Sequence, residues 1–392
     1  MPVFNGSCGT EETDSAELNG SEVFVMAVVD IFSNSFITID IGFRYMKIVQ
    51  VKKNKHNLLS VTNYGIGDTP KGCIKNGAIK DKDAVIEEIN RVIKENNINM
   101  KEAKIVMSGT NIISRVIMID KVPENEVDKK IWEEIRETIP VDMNSNRIDY
   151  KILGNTIVDG QEKIKVFVTV VAKKIIDNYI DLLKKLRLKP IAVDIPSNSV
   201  SKFFRLDIDT GEDSMARRLK YAKYNNNTCI VFDLGSETTI INILKDKTPE
   251  FNRVILKGSS KIDEEIAKEL QMQPYELPKA ELYKKMYGLS TIMTPCTEYL
   301  CSKAAMRVMD SLIKEIRMCI DFYLTRCNGE HPSKIFLIGG GSQMKGIEEY
   351  FEEKLGLPAY RINVAKIGGL EFNPNLDKGR LNYLVNALGV AL

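Results

Sequence analysis

The sequence is poor in the residues from which metal sites are most often built. Its 392 residues include seven cysteines and two histidines, His56 and His331, with no C-x-x-C pair. Zinc sites usually draw on closely spaced cysteine and histidine ligands, so a zinc site is not expected. Several cysteines stand inside apolar runs, as Cys229 and Cys319 do. Such positions are typical of buried, reduced thiols and predict a cytoplasmic protein.

Charge of one sign and long apolar runs are missing as well. Lysine and arginine number 55 against 53 aspartates and glutamates, which gives a formal net charge of +2. Nucleic-acid-binding domains usually carry a basic excess, so a nucleic-acid partner is not expected. No run approaches the roughly 20 apolar residues that span a bilayer. The best candidate, VFVMAVV at 23–29, lies in a predicted polar tail over residues 1–35. It is either a packed edge segment or an anchor for a membrane or a partner.

Two common phosphate-binding motifs are absent too. No G-x-x-x-x-G-K-[ST] occurs in the chain. In GGGSQMKG (339–346), Met344 stands where the G-x-G-x-x-G motif requires its third glycine. Any nucleotide site must therefore be built from other elements.

What the sequence does contain is one hairpin pattern twice. FITIDIGFRYMKIVQV (36–51) and CIVFDLGSETTIINIL (229–244) each place an aspartate and a glycine between two apolar strands. When the stretches are aligned, two residues of each coincide: Asp40 with Asp233, and Gly42 with Gly235. One such hairpin is an ordinary turn. Two of them, about half the chain apart, indicate two related lobes.

The paired turns carry groups that suit a nucleoside triphosphate. Glycine accepts positive φ, which lets a turn aim its backbone N–H groups at an anion. Ser236 and Thr238 can donate hydrogen bonds from the second turn, and Lys47 can supply charge from the first hairpin. Asp40 and Asp233, one from each lobe, can hold Mg²⁺ between them through water.

Three further stretches fit the same kind of site. KIFLIGGGSQMKGIEEYFEEKL (334–355) predicts a strand, a glycine turn and a helix. The turn either admits a base or ribose close to the backbone or is only a tight connection. Asp194 ends a predicted strand in AVDIPSNSV, and the C-terminal NALGVAL presents small residues that allow two helices to approach closely: Ala387, Gly389 and Ala391. Strands and helices alternate along the rest of the chain, which predicts an α/β architecture.

In this order, the five elements resemble the phosphate 1, connect 1, phosphate 2, adenosine and connect 2 motifs of the actin/Hsp70/sugar-kinase superfamily. Within it, residues 36–392 resemble the PilM family of type IV pilus assembly proteins. The most specific stretches lie outside the nucleotide motifs, at 108–153, 166–195, 315–323 (EIRMCIDFY) and 339–363.

The resemblance implies an α/β fold with two actin/Hsp70-like lobes, a duplicated ribonuclease H-like arrangement. A small FtsA-like subdomain, 1C, is expected within the first lobe. The implied parts are a tail (1–35), lobe 1 (36–222, with 1C at about 95–170), lobe 2 with nucleotide motifs (223–380), and a C-terminal helix returning to the hinge (381–392).

The resemblance also implies an ATP site with Mg²⁺. The implied ATP-binding residues are Asp40, Gly42, Lys47, Asp233, Gly235, Ser236, Thr238, Glu264, Lys268, Gly339, Gly340, Gly341 and Ser342. Asp40 and Asp233 are the implied magnesium positions, through water, and Asp194 is the candidate catalytic residue. Glu264 and Lys268, expected near the ribose and base, are equally typical of a solvated helix face.

The implied function is that of an adaptor in type IV pilus assembly, at the inner face of the cytoplasmic membrane and attached to it indirectly. Its expected partners are the N-terminal cytoplasmic segment of PilN, other pilus assembly proteins including the assembly ATPase, and a second copy of the chain. The PilN segment is expected in a groove between subdomains 1A and 1C, with four candidate residues: Ile139, Pro140, Tyr150 and Leu153.

Trp132, Ile135 and Ile139 are also typical of the core of 1C. The alternatives are a small-molecule kinase or ATPase of the same fold, and an FtsA-like filament scaffold; ATP hydrolysis is expected to be slow or absent.

The sequence departs from the family at two turns. Phe43-Arg44-Tyr45 stands where small hydroxyl residues are usual, and Gly258-Ser259-Ser260 stands where paired glycines are usual. Both changes bear on how tightly phosphate is held, and Arg44 or Lys47 can replace lost donors with charge.

Overall fold

The computed structural model describes residues 34–53, 58–208, 226–292, 294–327 and 329–392. The apolar stretch at 23–29, His56 and most of the predicted boundary between the lobes lie outside these residues. The strands are β1 Ser35–Ile41, β2 Tyr45–Lys53, β3 Leu59–Asp68, β4 Ile74–Lys75, β5 Ala78–Ile79, β6 Glu102–Val106, β7 Ile113–Asp120, β8 Asn146–Val158, β9 Gln161–Ala172, β10 Lys189–Asp194, β11 Thr228–Leu234, β12 Thr239–Lys245, β13 Thr248–Ile255, β14 Lys334–Ile338, β15 Ala359–Arg361 and β16 Leu370–Phe372. The helices are α1 Lys82–Glu95, α2 Glu124–Thr138, α3 Lys173–Lys185, α4 Pro196–Phe203, α5 Ser260–Glu269, α6 Leu277–Tyr287, α7 Thr297–Arg326, α8 Ile347–Leu355 and α9 Val385–Ala391. Within the described ranges, no helix is long and apolar enough to cross a membrane.

The first large sheet has six strands in the order β10-β6-β1-β2-β3-β16. β1 pairs antiparallel with β2 and parallel with β6, so the first predicted hairpin lies at the centre of the sheet. Six of the seven residues of β1 are buried, as expected for a strand whose sheet is covered on both faces. Helices α1 and α3 cover one face through a cluster that includes Ile89, Tyr179 and Leu183.

The second large sheet repeats this arrangement in the order β13-β12-β11-β14-β15. β11 pairs antiparallel with β12 and parallel with β14, and all seven of its residues are buried. Helices α5, α7 and α8 cover one face through a cluster that includes Ile266, Leu312 and Phe351. The two sheets therefore share one pattern of strand pairing, and the predicted α/β fold with two related lobes is confirmed.

Helices α4 and α9 pack between the two sheets. One hydrophobic cluster there joins Val49 of β2, Val200 of α4, Val231 of β11 and Leu388 of α9. A Cβ at Gly389 would lie only 2.1 Å from the Ser199 carbonyl oxygen. The two helices therefore touch backbone to backbone, which is the close approach that the small residues of this segment predict.

A third sheet, β7-β9-β8, forms a small subdomain with α2 on one of its faces. Helix α2 lies between Pro123 and Pro140, and its buried side packs on the sheet through Ile131 and Ile135. Ile139 is buried in the same cluster, and Trp132 packs against it from a partly buried position. These side chains thus occupy the core of the small subdomain, as their spacing predicts.

The end of the chain rejoins the first sheet earlier than predicted. Strand β16 pairs parallel with β3 and forms the outer edge of the six-stranded sheet. Residues 370–372, which the predicted division assigns to lobe 2, thus pair with a strand of the first sheet. A three-residue strand carries too little periodicity to be recognised in a sequence.

Candidate functional site

The two D-x-G turns are closed by the same hydrogen bond. Gly42 N–H donates to the Tyr45 carbonyl at 3.0 Å, and Gly235 N–H donates to the Thr238 carbonyl at 3.0 Å. A Cβ would lie 2.9 Å from the accepting oxygen at Gly42 and 2.8 Å from it at Gly235. Both turns thus require glycine for the same reason, and their equivalence extends from sequence to geometry.

Asp233 is buried at the end of β11, against helix α9. Asn386 Nδ2 donates to Asp233 Oδ2 at 2.9 Å. Burial raises the pKa of Asp233, and the negative charge of Asp40 also raises it, against the opposing effects of the Asn386 hydrogen bond and Lys47. Asp40, on the first sheet, is therefore near enough to Asp233, on the second, for its charge to act on that carboxyl.

Asp40 is paired with a lysine from the other strand of its own hairpin. Lys47 Nζ donates to Asp40 Oδ2 at 2.9 Å, and the two side chains are only 15% and 10% exposed. Ile240 occupies the matching position opposite Asp233. The two hairpins thus have the same backbone arrangement but differ in charge, since only the first carries a lysine at this position.

The glycine turn after β14 lies directly against Asp233. Gly339 has φ of +81°, and a Cβ there would lie 2.4 Å from Asp233 Oδ1. The buried Ser342 hydroxyl donates to the Gly339 carbonyl at 2.7 Å. A Cβ at Gly341 would meet the Leu234 side chain at 2.4 Å. The turn is therefore packed against the end of β11, and Ser342 stabilises the turn itself.

The second D-x-G turn is tied to the beginning of α5. Ser259 N–H donates to the Gly235 carbonyl at 2.9 Å, and both the N–H and the hydroxyl of Ser260 donate to the Ser236 carbonyl, at 2.9 and 2.8 Å. A Cβ at Gly258 would lie 2.3 Å from that carbonyl oxygen. Position 258 therefore requires glycine. The N-terminus of α5 lies beside the turn, and its dipole favours an anion.

Glu264 and Lys268 lie one turn apart on α5. Glu264 is exposed and pairs with Lys261 at 2.7 Å. Burial raises the pKa of Glu237, at the tip of the second hairpin, and the charge of Glu264 raises it further. Glu264 is therefore near the turn, whereas Lys268 is exposed on the last turn of the helix.

Asp194 is held by groups of its own lobe. Asp194 Oδ2 pairs with Lys202 Nζ at 2.8 Å, and Oδ1 accepts from Asn198 Nδ2 at 2.9 Å and from the Ile195 N–H at 2.7 Å. Burial alone would raise the pKa of Asp194, but Lys202 and these hydrogen bonds outweigh burial and lower it. Asp194 and Asp40 both pair with Val106 of the strand between them, so their backbones are about 10 Å apart.

The unusual first turn makes contacts that the sequence does not reveal. Arg44 pairs with Asp68 at 3.2 Å and with Glu281 of α6 at 3.5 Å. The ring of Tyr45 meets that of Tyr383 edge to face, with centroids 5.9 Å apart. Arg44 therefore turns away from Asp40, and the positive charge beside that carboxylate is that of Lys47.

The comparisons with known proteins agree with this architecture. A family model described as type IV pilus assembly protein PilM matches residues 38–392. The chain belongs to the PilM family. A solved PilM–PilN type IV pilus biogenesis complex contains a chain that is 21% identical, with 91% of this chain and 97% of that one covered and a TM-score of 0.72. The chain therefore shares its fold with the PilM chain of that complex.

Other solved structures are more distant from this PilM-family chain. The ethanolamine utilization protein EutJ from Carboxydothermus hydrogenoformans is 12% identical, with 94% and 93% of the two chains covered and a TM-score of 0.48. MreB5 of Spiroplasma citri, bound to AMPPNP, is 11% identical, with coverages of 91% and 95% and a TM-score of 0.47. No curated protein sequence matches the chain.

The carboxylates of Asp40 and Asp233 suit a magnesium ion that takes further oxygens from water and from a phosphate-bearing ligand. The described residues contain no cluster of three or more His, Cys, Asp or Glu that could hold a metal by themselves. Asp40 and Asp233 each have one oxygen engaged, by Lys47 and by Asn386. Mg²⁺ typically keeps several waters and takes one or two carboxylates besides phosphate oxygens, which is the donor set that these residues offer.

The four predicted groove residues do not lie on one surface. Ile139 and Tyr150 belong to the cluster under α2, where Tyr150 Oη donates to Asp128 Oδ1 at 2.6 Å. Leu153 packs on the opposite face of the third sheet, against the cluster of the first lobe. Pro140 is exposed at the end of α2. Leu153 is therefore the predicted residue that lies at the junction of the small subdomain with the first lobe.

Proposed function

We propose that this chain is an ATP-binding adaptor of type IV pilus assembly, in which the nucleotide holds the two lobes in one relative orientation. The observation that carries the proposal is the pair of matched turns, closed by the same hydrogen bond, and the charge of Asp40 acts on Asp233 between them. Each turn belongs to a different sheet. A ligand that binds both turns therefore links the lobes.

In this proposal each part of the site has a separate task. Lys47 supplies positive charge for phosphate, and the dipole at the N-terminus of α5 adds to it. Asp40 and Asp233 accept hydrogen bonds from the water shell of Mg²⁺, which neutralises phosphate charge when it is bound. Gly339 and Gly340 let the backbone of the second lobe turn tightly between Asp233 and Tyr383, on the side proposed for the base and ribose.

Hydrolysis or phosphoryl transfer is expected to be slow or absent. A kinase needs a carboxylate that can accept a proton beside the transferred phosphate. Asp194 is the candidate for that task, and both of its oxygens are engaged by Lys202, Asn198 and Ile195. These contacts favour a structural role for Asp194 and an adaptor over an enzyme.

The proposed partner is the N-terminal cytoplasmic segment of PilN. The likeness to a chain of the PilM–PilN complex supports it, and so does β8, which forms an edge of the third sheet and could pair with an extended peptide. We place the segment between the small subdomain and the first lobe, beside Leu153. Through this partner the chain would sit at the inner face of the cytoplasmic membrane. The assembly ATPase and a second copy of the chain are further proposed partners.

The test is the nucleotide content of the purified protein, followed by calorimetric titration with MgATP. Asp233→Asn keeps the shape of the side chain and removes its charge, and we expect at least tenfold weaker binding, or about 1.4 kcal/mol. Asp83→Asn, at an exposed position on α1, is the control for lost charge. Equal affinities of the two variants would refute the assignment of the site.

A further inference from the structure

The tip of the first hairpin reaches across the cleft to the second lobe. Arg44 Nη2 lies 3.5 Å from Glu281 Oε2 on α6, while Arg44 Nη1 pairs with Asp68 Oδ1 of its own lobe at 3.2 Å. Helix α6 is bound to the second lobe, where Ala280 belongs to the cluster under α5 and α7. The contact between Arg44 and Glu281 therefore joins two bodies that do not share a sheet.

A second contact lies beside the first. The guanidinium groups of Arg44 and Arg380 lie 5.1 and 5.8 Å from the centre of the Tyr45 ring. Tyr45 in turn meets Tyr383 edge to face, and a Cβ at Gly340 would lie 3.1 Å from the Tyr383 ring. Tyr383 thus stands between the first hairpin and the glycine turn of the second lobe.

Both contacts lie where the two halves of the proposed nucleotide site meet. In the proposed site, the turns that contain Gly42 and Gly235 face the phosphates, and the turn that contains Gly340 faces the base. Arg44 and Tyr45 directly follow the first of these turns in sequence, and Tyr383 covers part of the last. The two contacts therefore connect the first hairpin with the second lobe beside the turns that the proposed nucleotide site uses.

We propose that Arg44, Tyr45, Glu281 and Tyr383 form a latch that closes the mouth of the cleft and slows entry and release of the nucleotide. The effect on the nucleotide rests on the proposed function, whereas the contacts that join the two lobes are made by the chain alone. Exposed ion pairs and single aromatic contacts are individually weak. The latch therefore opens readily, and it slows nucleotide entry and release without blocking the site.

The chain offers matched controls for each ion pair. Glu281→Gln removes the pair across the cleft, but it also removes the pair that Glu281 makes with Lys285 on the same helix at 2.8 Å. Lys285→Gln removes the latter pair and keeps the pair with Arg44; it also removes a charge that lies near Tyr45 and Tyr383, so the comparison tests the ion pair and not the ring contact. In the same way, Arg44→Ala is compared with Asp68→Asn, which breaks only the pair within the first lobe.

The first measurement is the rate at which a fluorescent ATP analogue leaves the full-length protein when unlabelled ATP is added in excess. We expect Arg44→Ala and Glu281→Gln each to raise the dissociation rate at least fivefold, and the double variant to add little to either. Lys285→Gln and Asp68→Asn should change the rate less than twofold. If the dissociation rate of Glu281→Gln equals that of Lys285→Gln, the latch is refuted.

The second measurement needs no nucleotide and separates the latch from the proposed function. Hydrogen–deuterium exchange of residues 42–46 and 277–287 in the nucleotide-free protein should be faster in Glu281→Gln than in Lys285→Gln. Faster exchange in a protein that takes up no ATP would support the latch and refute the nucleotide site. Equal exchange in the two variants would refute the latch, whatever the affinity for ATP.

Discussion

Lys47 Nζ donates to Asp40 Oδ2 at 2.9 Å, whereas the matching position of the second hairpin holds Ile240. The two hairpins have the same turn, but they differ in charge. The Asp40 carboxylate is neutralised by a lysine of its own hairpin, and the Asp233 carboxylate is not. In the ligand-free protein the lysine also lowers the pKa of Asp233. It thus offsets part of the repulsion between two buried carboxylates.

Lys47→Met should lower the free energy of unfolding of the nucleotide-free protein by about 1–3 kcal/mol at neutral pH, because a largely buried carboxylate loses its charged donor. Ile240→Met is the matched control, since a volume-conserving change of this kind usually costs less than about 1.5 kcal/mol. Urea unfolding of both variants measures the difference. Equal losses in the two variants at neutral pH would contradict the role given to the ion pair.

Lys104 should make stability rise with pH. It is buried on β6, with its ammonium 3.3 Å from the Ala391 carbonyl, and burial, followed by the charges of Lys202 and Lys53, lowers its pKa from 10.5 to about 7. Between these two values the unfolded chain binds more protons than the native protein, so the free energy of unfolding increases with pH.

The measurement for Lys104 is urea unfolding across this interval, compared with Lys104→Met. The stability of the wild type relative to the variant should rise by at most about 1.4 kcal/mol per pH unit. Lys101→Met, at an exposed position just before β6, should show no such slope against the wild type. A flat difference between the wild type and Lys104→Met would mean that the lysine keeps its ordinary pKa.

The parts of the site that lie on short, repeated segments are predictable from sequence, and the parts that depend on distant segments are not. Asp40 and Asp233 are recognisable because each hairpin carries its own turn signal. Asn386 donates to Asp233 from 153 residues away, and Glu281 meets Arg44 from 237 residues away. Nothing in the local pattern of either residue indicates such a contact. Asn386 is the polar residue in a run of small apolar ones, which is the one signal that could have marked it.

Gly339→Ala should damage both stability and ATP binding. The residue has φ of +81°, and the added Cβ would lie 2.4 Å from Asp233 Oδ1. A positive φ at a residue other than glycine typically costs about 1–3 kcal/mol, and the displaced carboxylate would be lost to the site. Gly356→Ala is the control, since Gly356 has φ of +68° with no atom within 4 Å of the added Cβ. Unfolding and calorimetry should show lost stability in both variants and weaker ATP binding only in Gly339→Ala; unchanged affinity in Gly339→Ala would contradict the position given to the glycine turn.

Leu153→Ser should weaken binding of the PilN N-terminal peptide if the peptide lies between the small subdomain and the first lobe. Leu153 is the predicted groove residue on that side of the third sheet, and a leucine that a peptide buries typically contributes about 1.5–3 kcal/mol, or at least about tenfold in affinity. Ile157→Ser is the control, because Ile157 is 73% exposed near the end of β8. Fluorescence anisotropy of a labelled peptide measures both affinities, and urea unfolding verifies that each variant is folded. If the folded Leu153→Ser variant binds like the wild type, the peptide does not use this junction, and weaker binding by Ile157→Ser alone would move the site to the tip of the β8–β9 hairpin.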